Sequence, residues 1–264
     1  MRLTQYQVDA FARQTFEGNP AAVCPLDQWI DDHLMQSIAA ENNLAETAFF
    51  VNEGSQYQIR WFTPTEEVDL CGHATLASAH VLFKELAYSG EAITFSSRSG
   101  ALVVRNDGDL LSMDFPNEAP RPCDAPVSIA EALGLAEQQE QIASCYLGGD
   151  LIVELRSEQA VLDAKPNLPM IEALDARGLI ITAQSQQYDF VNRCFFPKLG
   201  IAEDPVTGSA FTQLVPMWAE RLNKQQFTAK QVSTRGGEVF CSLNGDRVGI
   251  SGHSVLFMKA EIFI

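Results

Sequence analysis

The 264-residue chain carries 18 Lys and Arg against 34 Asp and Glu, a net charge of −16, and 46% of its residues are hydrophobic. This balance describes a soluble globular protein and excludes nucleic-acid binding, because no cluster of Lys or Arg exists to neutralise phosphates. The longest apolar runs fall short of a membrane span, Gln5, Gln7 and Asp9 interrupt any leader-like start, and the six scattered cysteines suggest reduced thiols in a cytoplasm.

In chain order, Leu3 to Phe11 reads as a strand, Gly18-Asn19-Pro20 as a turn and Ala21 to Cys24 as a buried strand. Asp31-Asp32 open a helix whose apolar positions Leu34, Met35, Ile38 and Ala39 fit a 3.6-residue period, and Asn42-Asn43 end it. Leu44 to Val51 and Tyr57 to Thr63 form a hairpin around Asn52-Glu53-Gly54-Ser55. A short strand ending at Leu70-Cys71 then turns over Gly72-His73 into a helix of small residues, about 74–83. Ala92 to Ser96, Ala101 to Arg105 and Leu110 to Phe115 are further strands.

The stretch Pro116 to Pro126 holds four prolines and is the candidate linker. Ser128-Ile129-Ala130-Glu131 reads as a capping box, Cys145 to Leu147 and Leu151 to Leu155 as strands, and Leu168 to Leu174 as a short helix. Leu179 to Ala183 and Tyr188 to Phe196 lead to a second corner, Asp204 to Ala210, and a helix from about Ser209 to Leu222 that Pro216 is expected to bend. Val232-Ser233, Val239 to Leu243, Arg247 to Ser251 and Phe257 to Ile264 close the chain as strands, with Asn244-Gly245 a hairpin turn.

Arg60-Trp61-Phe62-Thr63-Pro64 and Arg193-Cys194-Phe195-Phe196-Pro197 repeat Arg-x-Phe-x-Pro about half the chain apart, each ahead of a strand–Gly–helix corner. The economical account is two similar halves, residues 1–116 and 127–264, the last strand free to return to the first half. Strands outnumber helices, and each half owns one helix that is apolar nearly all round and must be wrapped on all sides. The expected class is α+β, with each half a curved sheet closed around a central helix. Each corner aims free backbone N–H groups at one point, which suits a carboxylate.

Three polar residues stand out. Glu46 sits among apolar neighbours from Leu44 to Val51; it is either a solvent-facing carboxylate on an edge strand or a carboxyl in an apolar pocket, shifted toward neutrality to take and give a proton. His73 follows the corner glycine, as a structural residue or a catalyst. Asp204 precedes Pro205 and by itself reads as a turn or cap. Cys71-x-His73 with His80 could suggest a metal, but no second pair has ligand spacing, so none is expected. Nucleotide-binding glycine patterns and a nucleophile elbow at Ser209 are absent.

The blocks Phe16-x-Gly18-Asn19-Pro20-Ala21-x-Val23, Asn43 to Phe49, Arg60 to Pro64 with Glu67 to Thr75, and Glu203 to Ala210 resemble the signatures of the phenazine-biosynthesis PhzF-like family, with Arg235-Gly236-Gly237-Glu238 fitting one branch. The resemblance implies the diaminopimelate epimerase-like fold, two pseudo-symmetric barrel-like halves with the site between them. It also implies a cofactor-free isomerase, usually a homodimer, that shuttles a proton on a small cyclic or unsaturated carboxylic acid. By position, Glu46 becomes the general acid/base, His73 and Asp204 orient the substrate or hold protons, and Gly72, Thr207, Gly208 and Ser209 grip its carboxylate. A related racemase type uses two facing cysteines; Cys71 resembles the first, while Val206 is read in the place of the second. Another isomerase or epimerase on this fold, and a non-catalytic member binding small acids or a protein, are the alternatives.

Overall fold

The structure, a computed structural model, describes residues 1–264. The chain divides into two compact units, Met1–Asp114 with Ser251–Ile264, and Phe115–Ile250. Along the first part run β1 (Arg2–Ala10), β2 (Asn19–Leu26), α1 (Asp32–Asn42), β3 (Glu46–Asn52), β4 (Tyr57–Phe62), β5 (Glu67–Val68), α2 (Gly72–His80), β6 (Ala92–Ser97), β7 (Gly100–Asp107) and β8 (Leu110–Pro116). There follow β9 (Arg121–Cys123), α3 (Ile129–Ala132), β10 (Ile142–Leu147), β11 (Leu151–Leu155), α4 (Glu158–Asp163), α5 (Leu168–Glu172), β12 (Leu179–Gln184) and β13 (Phe190–Phe196). The chain ends through β14 (Ile201–Asp204), α6 (Gly208–Leu222), β15 (Gln226–Gln231), β16 (Gly237–Asn244), β17 (Arg247–Gly252) and β18 (Ser254–Phe263).

Strand pairing makes the internal repeat explicit. In the first unit β2 runs antiparallel to β1 and parallel to β3, β4 is antiparallel to β3 and β5 and parallel to β6, and β6 is antiparallel to β7. In the second, β11 runs antiparallel to β10 and parallel to β12, β13 is antiparallel to β12 and β14 and parallel to β15, and β15 is antiparallel to β16. Even the outer neighbours match: β18 lies antiparallel on β1, and β9 antiparallel on β10. Each unit is therefore a mostly antiparallel sheet with two parallel joints.

The central helices answer to burial. Every residue of α2 from His73 to His80 is buried, and the helix packs on β1, β2, β3, β7 and β18. It continues as a π-helical turn, Val81–Glu85. In the second unit Phe190 of β13 stacks on Trp218 of α6, whose indole N–H donates to Thr182 of β12 at 3.1 Å. Pro216 inside α6 has no N–H to offer the Thr212 carbonyl one turn back. That carbonyl instead accepts the backbone N–H of Glu118 at 3.1 Å.

Several local expectations change. Asn19 and Pro20 belong to β2; the reversal falls at Gly18, at φ +67°, where an added Cβ would lie 2.1 Å from the Ala10 carbonyl oxygen. Ser128 makes no side-chain cap, so the capping-box reading fails. The strand placed at Val232-Ser233 is really β15, six residues earlier in its start, where Phe227, Ala229 and Gln231 face inward between polar residues. Ser157 caps α4, a helix the sequence did not announce, by accepting the Ala160 N–H. Within Pro116 to Pro126, Arg121–Cys123 forms a strand.

His80, on the buried face of α2, sets its Nδ1 2.8 Å from the Ser254 hydroxyl. Burial, then the charge of Lys84, pulls its pKa down to about 4. Between that value and the ordinary 6.5 only the unfolded chain binds the proton, so stability is intact above pH 6.5 and falls as pH drops toward 4. The expected loss is on the order of 3 kcal/mol. In urea melts at pH 7 and pH 4.5, His80→Gln is expected to shrink the difference between the two conditions by about 2 kcal/mol or more.

Candidate active site

β3 has β2 on one side and β4 on the other; Glu46, its first residue, pairs with Ala21 of β2, and the pairing with β4 begins one residue on, at Thr47. Only 13% of its side chain remains exposed. Its Oε2 lies 3.1 Å from His73 Nε2, at ion-pair distance though not aligned as a hydrogen bond. His73, the second residue of α2, is buried, and its Nδ1 faces Asn19 Nδ2 at 3.3 Å and Cys71 Sγ at 3.5 Å. One imidazole thus joins a carboxylate to an amide and a thiol.

The charges follow from these neighbours. Burial opposes a charged imidazole, but Cys71 and Glu46 outweigh it, and His73 is held well above its ordinary range. Cys71 is pushed up by burial first and by the Glu46 charge second. Both causes favour its neutral thiol form. Glu46, Cys71 and His73 place ligand-type atoms within 4.8 Å of one another. Carboxylate and thiol approach different nitrogens of one ring, however, so the set is a chain of contacts rather than a chelate. His80 stands apart with Ser254.

The second unit builds its own corner. Asp204 ends β14, Thr207 is the N-cap of α6, and Gly208 and Ser209 begin the helix. The Thr207 hydroxyl donates to Asp204 Oδ2 at 2.6 Å. Gln231 of β15 accepts the Thr207 N–H at 2.9 Å and donates to the Asp204 carbonyl at 2.7 Å. Asn192 donates to Gln231 Oε1 at 3.0 Å. Asp204 is therefore a buried carboxylate and not the cap of α6. Gln231 and Asn192 escaped the sequence reading because a lone amide in a strand carries no motif; only the inward period of β15 hinted at Gln231. Asn19 sat inside a recognised block with no role given to it.

Both central helices start uncapped. Asp31, Ser157 and Asn167 cap α1, α4 and α5 with side-chain oxygens, but Cys71 and Thr207, the N-caps of α2 and α6, make no such bond. No side-chain oxygen caps either start, and at α6 the Ala210 N–H turns back to the Thr207 carbonyl at 3.1 Å. The helix positions also correct one correspondence: Thr207, rather than Val206, stands where the first corner has Cys71. The second thiol is missing either way.

A mostly antiparallel sheet wrapped on a central helix, repeated in two units, is the α+β architecture of epimerase-like isomerases, and the comparisons with known proteins give the family. The profile of the phenazine biosynthesis-like proteins, PhzC-PhzF, matches residues 8–260. The chain belongs to that family. It is 48% identical over 264 residues to an uncharacterised isomerase of Pseudomonas aeruginosa, covering all of both chains. The crystal structure of a PhzF-family protein from Enterococcus faecalis matches at 46% identity with a TM-score of 0.97, again over all of both chains. A hydroxyproline epimerase from Agrobacterium vitis shares the fold at 9% identity, with a TM-score of 0.62 over 99% of this chain and 92% of its own. The fold is that of the diaminopimelate epimerase-like proteins.

If Glu46 is the anion that keeps His73 charged, removing it should show directly. In an NMR titration of the His73 ring protons, Glu46→Gln is expected to lower the midpoint by about one to three pH units relative to the parent. An unchanged midpoint would mean the two side chains do not interact electrostatically.

Proposed function

We propose that the protein is a cofactor-independent isomerase that moves a proton on a small, cyclic or unsaturated carboxylic acid. The observation that carries this reading is Glu46, a largely buried carboxylate 3.1 Å from a buried histidine at the uncapped start of a central helix. Glu46 takes a proton from a carbon made acidic by the neighbouring unsaturation and returns it to another carbon of the same system. His73, held by Asn19, Cys71 and Glu46 itself, orients that carboxylate and offsets charge during the transfer. Gly72, Gly208 and Ser209 are the proposed carboxylate grips, with the helix N-termini supporting the negative charge. Thr207, whose N–H and O–H go to Gln231 and Asp204, shapes the second corner rather than donating to the substrate. Asp204, fixed by Thr207, is proposed to hold a proton or a polar substituent of the substrate.

A two-thiol racemase is the weaker reading, because the residue in the second thiol's place is Thr207 and Cys71 is a buried, hard-to-ionise thiol. That reading and the favoured one separate cleanly by mutation. Glu46→Gln keeps shape but cannot accept and return a proton, so exchange of substrate C–H with deuterated water, screened over a panel of small cyclic and unsaturated acids, should drop roughly a hundred- to ten-thousand-fold. Cys71→Ser should keep most of the activity. Thermal melting of both variants distinguishes lost chemistry from lost fold. Parental exchange in Glu46→Gln, or complete loss in a folded Cys71→Ser protein, would overturn the assignment.

A further inference from the structure

The repeat can be followed residue by residue. Phe62 of the first Arg-x-Phe-x-Pro stretch pairs with Thr47, and Phe195 of the second pairs with Leu179. The residue before Thr47 is Glu46; the residue before Leu179 is Gly178. A Cβ on Gly178 would fall 2.1 Å from the Phe196 ring, so no side chain fits where the first unit carries its carboxylate. Its neighbour Arg177 reaches the corner instead. Its Nη2 lies 3.3 Å from the hydroxyl of Ser209, the second residue of α6, as His73 is the second residue of α2. Where one unit sets a carboxylate against an imidazole, the other sets a guanidinium against a hydroxyl.

Arg177 is firmly mounted. Asp150, wholly buried, accepts from its Nε at 2.9 Å and from Nη2 at 2.6 Å. Gln213 of α6 donates to Asp150 Oδ2 at 2.9 Å and accepts the Asp150 N–H at 3.1 Å. The guanidinium also sits 5.4 Å from the centre of the Phe196 ring. Glu118, the other carboxylate whose charge reaches Arg177, is bonded to α6 through the Thr212 hydroxyl and carbonyl. These bonds occupy Nε and Nη2. The Nη1 donors are left over, and 44% of the side chain remains exposed. An ion pair serving the fold alone would satisfy Asp150 without holding an open guanidinium edge beside a hydroxyl that still has a proton to donate.

We propose that Arg177 recognises a carboxylate of the substrate, one oxygen on Nη1 and the other on the Ser209 O–H. The proposal rests on the isomerase reading above and adds to it a fixed positive charge in a strongly acidic chain. A planar guanidinium suits a planar carboxylate better than an ammonium would.

Benzoate, a ring carboxylate that cannot isomerise, is the probe, with benzamide as its uncharged comparator; binding is followed through the Ser209 amide resonance. The parent is expected to bind benzoate about tenfold or more tightly than benzamide. Arg177→Lys keeps a charge against Asp150 and so protects the fold, but loses the fork; benzoate binding should weaken several-fold. Arg177→Ala combined with Asp150→Asn removes the buried charge with its partner, and should erase the preference for benzoate over benzamide. Parental benzoate affinity in both Arg177 variants, no preference for benzoate, or no benzoate binding by the parent would each overturn the proposal. If both Arg177 variants bind like the parent while Glu46→Gln loses exchange, Arg177 leaves the mechanism and the isomerase reading stands.

Discussion

Two arginine–glutamate forks hold the corners at which the two central helices begin. Arg60 gives Nε and Nη2 to Glu67, both at 2.7 Å, and Arg193 gives the same two nitrogens to Glu203 at 2.7 and 3.0 Å. Each fork ties the strand of an Arg-x-Phe-x-Pro stretch to the short strand that runs into a central helix. Both arginines are mostly shielded, 16% and 13% exposed, so water screens these pairs little and their planar geometry fixes direction as well as distance. The short strands β5 and β14 are brief, and ladder hydrogen bonds alone would hold them loosely. The forks supply what is missing.

From that bracing follows the use of the central helices. α2 and α6 are buried along most of their length, and polar side chains within them, such as Ser78, His80 and Gln213, are hydrogen-bonded. Leaving the helix starts uncapped costs stability, typically about 1 kcal/mol per missing cap. The chain caps α1, α4 and α5 with side-chain oxygens but leaves the two central helices, and the short α3, without them.

The two units show how one strand topology can carry different side chains. Pairing, direction and helix placement repeat, yet Glu46 is matched by Gly178, His73 by Ser209 and Cys71 by Thr207. Sterics enforce part of this, since Phe196 closes the space beside Gly178. Electrostatics supplies the rest: a buried Asp150 demands a cation, and Arg177 answers it.

Much was legible in the chain itself. The Arg-x-Phe-x-Pro repeat, the small-residue helices and the strand–Gly–helix corners specified α+β halves around central helices, because period and glycine placement are local properties. The same holds for α1, whose Asp31 cap and left-handed Asn43 end were readable directly. The capping box at Ser128 and the strand at Val232 misled, since tertiary contacts decide whether a local preference is used. Glu46, His73 and Asp204 could be named from their blocks, but whether Glu46 faced water or a histidine depended on where the fold sets the start of α2 against the start of β3. Gln231, Asp150 and Arg177 carry no motif at all, and the block that holds Asn19 gave it no role. Their roles arise only from long-range contacts, 54 residues between Asn19 and His73 and 27 between Asp150 and Arg177, and a distance of that kind is written by the folded chain alone.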